Sequence, residues 1–89
     1  TAQEVKTSDQ FILQVASFKS LKDAERVRAE LILLNLEAKT ETAKVRNGET
    51  WHRVLVGPFE SHSKLSKARN MLLTNRYEAL VLKKQITNP

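Results

Sequence analysis

The sequence predicts an α+β domain of order βαββαβ, with one four-stranded antiparallel sheet and two helices packed on one of its faces. Three observations lead there. Apolar residues alternate along Phe11–Ser17 and again along Glu49–Val56, and recur at helical spacing from Ala24 and from Leu65. Asn47-Gly48 between two extended stretches is a strong hairpin signal. The second half of the chain also repeats the first. Displaced by 41 residues, Val15 falls on Val56, Phe18 on Phe59, Ser20 on Ser61 and Leu31 on Leu72. Two such halves, each a right-handed split βαβ unit, interleave into a single sheet.

The elements follow in order. In the first strand, Phe11, Leu13 and Val15 point one way and Ile12, Gln14 and Ala16 the other. Ser20, with Asp23 three residues on, starts a helix in the manner of a capping box. Ala24, Val27, Leu31 and Leu34 make its apolar stripe, and Asn35 ends it. Residues 37–46 form a charged second strand, followed by the Asn47-Gly48 turn. In the third strand His52, Val54 and Val56 share one face and Trp51, Arg53 and Leu55 the other, and Gly57-Pro58 closes the strand. Ser61 or Ser63 caps a second helix with the stripe Leu65, Ala68 and Leu72, and 79–83 is the last strand. Residues 1–10 read as the end of a linker, 11–85 as the domain and 86–89 as a tail.

Composition narrows the function. The chain has 89 residues, room for one domain, and no cysteine, so disulfides and cysteine-held metal sites are excluded. Its only glycines are Gly48 and Gly57, too few for a phosphate-cradling loop. No apolar run reaches the roughly 18–20 residues of a membrane span. Any export or anchoring segment is expected to lie outside this chain. Fifteen basic against ten acidic residues give a net charge of +5, a weak bias toward anionic partners.

With both helices on one side, the other sheet face is left open. Leu13, Val15, Val54, Val56, Ala79 and Val81 are assigned to the covered face. Ile12, Gln14, Ala16, Trp51, Arg53, Leu55, Leu80 and Leu82 fall on the open one. That set is too apolar for a solvated face, where alternation places polar groups outward. A tryptophan plate, an arginine fork and a glutamine amide suit a flat ligand with polar edges, a sugar or a base alike.

Two stretches carry a family resemblance. Phe11-Ile12-Leu13-Gln14-Val15-Ala16-Ser17-Phe18 resembles the opening strand of the SPOR domain. Trp51-His52-Arg53-Val54-Leu55-Val56-Gly57-Pro58-Phe59 resembles its third strand, with the run W-x-R-V-x-V-G-P-F. The resemblance covers about Gln10 to Lys84. It implies an RNP/ferredoxin-like sheet of two pseudo-repeat halves that binds septal peptidoglycan and prefers glycan strands stripped of stem peptides. It implies a periplasmic location at the division septum and a parent protein anchored in the inner membrane by a segment outside this chain. The implied glycan contacts are Gln14, Ser17, Trp51, Arg53 and Leu80, with Ile12 joining them from the same face. Ala16 departs from the glycine common at that position. A monomer without cofactor or metal is expected, with no nucleic-acid partner.

Other readings weigh less. His52 and His62 have no cysteine or carboxylate cluster beside them, which argues against a metal site. Ser17, Ser61 and His62 make no credible triad, and Glu37, Glu41 and Glu49 read as solvated charges rather than a glycosidase pair, so no catalytic residue is assigned. From Ser61 to Tyr77 the charges are all basic: Lys64, Lys67, Arg69 and Arg76. That is the pattern of a solvated helix back, or of a contact with an acidic lipid or polymer. An RNA-binding sheet of the RRM type is the alternative from another class. It requires aromatics on both central strands, where this chain has Gln14 on the first. A protein–protein module, with the open face paired to itself or a partner, is the third.

Overall fold

The computed structural model describes residues 9–85. It contains β1 (Asp9–Phe18), α1 (Leu21–Leu33), β2 (Ala38–Lys44), β3 (Thr50–Phe59), α2 (His62–Thr74) and β4 (Leu80–Gln85). This is the expected βαββαβ order. The tail read at 86–89 lies outside the described residues. So does the linker read at 1–10, except for Asp9 and Gln10, which already belong to β1.

The sheet runs β2-β3-β1-β4 and every pairing is antiparallel. The two central strands are the equivalent first strands of the two halves. Each half lends its second strand to the edge of the other, so neither half has a complete sheet alone. The core lies on one side of this sheet. Leu13, Val54 and Val56 meet Ala24, Val27 and Leu31 of α1 and the α2 stripe Leu65, Ala68 and Leu72 in one buried cluster. Leu13, Leu31 and Leu72 are fully buried, each stabilising the fold by about 2–3 kcal/mol relative to an exposed position.

The repeat extends to the helix ends. Ser20 Oγ accepts from the Asp23 amide at 3.3 Å, and Ser61 Oγ from the Lys64 amide at 3.2 Å. Asp23 does not complete a capping box; its carboxylate turns to Arg26 at 3.5 Å. At the other ends, Leu36 N–H donates to Leu31 O at 3.1 Å and Tyr77 N–H to Leu72 O at 2.8 Å. In each case the residue between them and the helix is left-handed: Asn35 at φ 66° and Arg76 at φ 68°. Asparagine tolerates that region; arginine is an uncommon occupant.

Two local expectations are corrected. First, β3 does not stop at Gly57-Pro58 but continues to Phe59, which pairs with Phe11. A bulge makes this possible, with two residues of β3, Gly57 and Pro58, opposite Ile12 alone. Proline, lacking an N–H, is tolerated at such a bulge. Gly57, at φ 130°, sends its N–H to Glu37 O at 3.1 Å. Second, β1 has a bulge of its own. Gln14 pairs with Leu55 and Ala16 with the next residue back, Val54. One extra residue on β1 breaks the alternation, so Val15 and Ala16 both pack against the core. Ala16 therefore belongs to the covered side, and Ser17 emerges opposite Arg53. Val81 pairs with Leu13 on the covered face as expected, and is 37% exposed because β4 is an edge strand.

Candidate functional site

The register fixes how the open face is laid out. One row of neighbours reads Lys39, Leu55, Gln14 and Leu80 across β2, β3, β1 and β4. The next row along β3 reads Glu41, Arg53 and Ser17. Beyond it Trp51 pairs with Ala43 near the β2–β3 turn, and at the opposite end Ile12 pairs with Leu82. All six residues assigned from the sequence thus stand on one face. The β1 bulge is what brings Ser17 there beside Arg53.

At the centre is a hollow of about 280 Å³. Ile12, Leu55 and Leu82 give it apolar walls, and Gln14 and Arg53 give it polar ones. Leu55 is only 4% exposed although it faces away from the helices, so its neighbours on the open face bury it. Leu80, 60% exposed, stands beside Gln14 in an adjoining depression. Lys39, Glu41 and Lys83 also line the hollow, and sequence reasoning missed all three as site residues. The signal for two of them was present. Once the Asn47-Gly48 hairpin fixes register, the period-two alternation of β2 puts Lys39 and Glu41 on the face of Leu55 and Arg53.

Trp51 is braced by Lys19, which is itself tied to the β2–β3 turn. The Lys19 ammonium lies 5.4 Å from the centre of the indole ring, a cation–π arrangement. The same Nζ is 3.0 Å from Glu49 Oε2. Glu49 N–H donates to Asn47 Oδ1 at 3.0 Å, which ties the turn to the strand. Lys19, above all through its hydrogen bond and then with Asn47, holds the Glu49 carboxyl below the ordinary glutamate range. Lys19 thus reaches from the end of β1 to the β2–β3 turn, across one face of the tryptophan.

Arg53 is half-buried. Among the described residues its guanidinium makes no hydrogen bond or ion pair, nor do the side chains of Gln14 and Ser17. Polar groups in such positions are ordinarily satisfied by protein, water or ligand. The chemistry on offer is a set of donors, one carboxylate, an aliphatic floor and an aromatic plate. The histidines stand elsewhere. His52 shares the covered side with Val54 and bonds Thr42 Oγ1 at 3.2 Å, and His62 packs its ring 4.9 Å from that of Phe11. Among the described residues no group of three His, Asp or Glu side chains could hold a metal ion.

Comparison with known proteins agrees with this fold. The family model for the SPOR domain matches residues 7–83. The crystal structure of the RlpA SPOR domain from Pseudomonas aeruginosa is 25% identical and superposes with a TM-score of 0.73, covering 83% of this chain and 99% of that one. The solution structure of the peptidoglycan binding domain of the B. subtilis cell wall lytic enzyme CwlC superposes at 0.71, covering 93% and 99%. At 14% identity, that second likeness is one of fold alone. No curated protein matches the chain. A family match over nearly all of the described residues, the β3 run from Trp51 to Phe59 included, leads to one conclusion: the chain belongs to the SPOR domain family.

Proposed function

We propose that this domain is a non-catalytic module that binds peptidoglycan in the cell envelope. It takes glycan strands lacking stem peptides along its open sheet face and so carries its parent protein to the division septum. The observation that supports this most is the pair Arg53 and Gln14, unpartnered at the hollow above Leu55, with Ser17 beside Arg53 in the next row. A sugar chain offers hydroxyl and N-acetyl oxygens to such donors and weakly polar ring faces to Leu80, Ile12 and Trp51. A strand without stem peptides can lie flat on the sheet; one with them is held off by their bulk. It also exposes a lactyl carboxylate on each muramic residue, and Arg53 supplies the planar fork that pairs with a carboxylate.

The aromatic inventory favours glycan over RNA. Trp51 is the one aromatic on the open face among the described residues, while Phe11, Phe18, Phe59 and Tyr77 pack toward the core. RNA-stacking sheets present aromatics from both central strands. Co-sedimentation with purified sacculi tests the reading, with and without prior amidase treatment and at low and high salt. The bound fraction is expected to rise after amidase treatment and to survive salt. Equal binding to both preparations would refute the preference for stripped strands. No binding by the folded domain would refute the glycan reading.

A further inference from the structure

A second concavity lies on the opposite side of the molecule. It holds about 400 Å³ between the end of α1 and the flank of α2. Its floor is apolar, made by Leu34, Leu36, Phe59 and Met71. Lys64 and Lys67 stand on the α2 rim, and Glu37 on the β2 side. We propose that this groove is a protein-docking site, which takes a short acidic segment of a partner protein bearing one or two aliphatic side chains.

Charge supplies the first argument. α2 spans His62–Thr74 and contains Lys64, Lys67 and Arg69 but no acidic residue. Neither lysine side chain makes a hydrogen bond or an ion pair among the described residues. Two unneutralised cations on one rim attract and orient an acidic partner. Shape supplies the second. A concave apolar floor accepts inserted side chains, and Met71, 42% exposed, is the adaptable type of side chain that moulds to them. A lipid surface is flat and uniformly anionic; it would leave the floor empty and bring negative charge against Glu37. Glu37 instead gives the groove a polarity, with the acidic side of the segment toward α2. The groove is separated by the sheet from Arg53 and Trp51, so a domain bound to glycan keeps it accessible. The proposal stands independently of the glycan reading.

The test is a titration of the domain with a fluorescein-labelled synthetic peptide of alternating glutamate and leucine, read by anisotropy, with backbone amide shifts mapping the contact. Binding is expected to weaken about tenfold in the double variant Lys64→Glu/Lys67→Glu. The variant Arg69→Glu/Arg76→Glu changes net charge equally but away from the groove, and is expected to bind as the wild type does. Equal loss in both variants would mean that net charge alone attracts the peptide and would overturn the proposal. So would amide shifts confined to the open face, no binding by the wild type, or binding of phosphatidylglycerol vesicles that is lost in the first variant while the peptide is ignored.

Discussion

Replacing Trp51 by alanine isolates the aromatic contribution to glycan binding. A tryptophan side chain carries roughly 150–250 Å² of surface. Lys19 lies over one face of the ring, so a sugar has the other, about 100 Å², or about 2.5 kcal/mol at full burial. Trp51 is already partly buried against its neighbours, which lowers the expected loss to about 1–2 kcal/mol, or about 5- to 30-fold in Kd. The fold should survive, because Trp51 lies outside the buried cluster and the lost cation–π contact contributes only about 0.5–1 kcal/mol. The assay is isothermal titration with muramidase-released glycan fragments lacking stem peptides, with a thermal melt as the folding control. An unchanged Kd in a folded variant would refute the stacking role. A Kd change matched by a collapse of the melting temperature would refute the claim that the ring is outside the core.

Other substitutions address the scaffold. Gly57→Ala places a Cβ 3.1 Å from Phe11 O and 3.2 Å from Phe59 Cδ2 at φ +130°, and should destabilise by more than about 1 kcal/mol in urea unfolding. Leu31→Ala, at a fully buried position of α1, should cost about 2–5 kcal/mol and leave glycan affinity per folded molecule unchanged. Because the Glu49 carboxyl is held below its unfolded-state pKa, its contact with Lys19 stabilises the fold above that unfolded value and is lost as pH falls through the folded one. Urea midpoints of wild type and Glu49→Gln should therefore differ at neutral pH and converge in acid; a constant difference would contradict the linkage.

Much of the architecture was legible because local and global signals agree. Ser20 and Ser61 cap the helices, Asn35 ends the first, and the displacement by 41 residues carries each feature into the second half. The faces of β3 were readable from His52 to Val56 because alternation there is unbroken. β1 was different. Val15 and Ala16 are both apolar and small enough to face the core, so nothing in their types marks the bulge that turns Ala16 inward and Ser17 outward. β2 concealed its part in the site for another reason. Lys39 and Glu41 look like solvated hairpin charges until cross-strand pairing sets them beside Leu55 and Arg53. The extension of β3 through Gly57-Pro58 depends on the opposing strand, which accommodates the extra residue at Ile12, and no local signal records it.

The central claim is that the open sheet face holds the glycan. Its most direct test is an amide-shift titration of the labelled domain with fragments free of stem peptides. The account predicts perturbations along Ile12 to Ser17, Trp51 to Leu55 and Leu80 to Leu82, with α1 and α2 silent. Shifts centred on the helices, or none at saturating fragment, would contradict it.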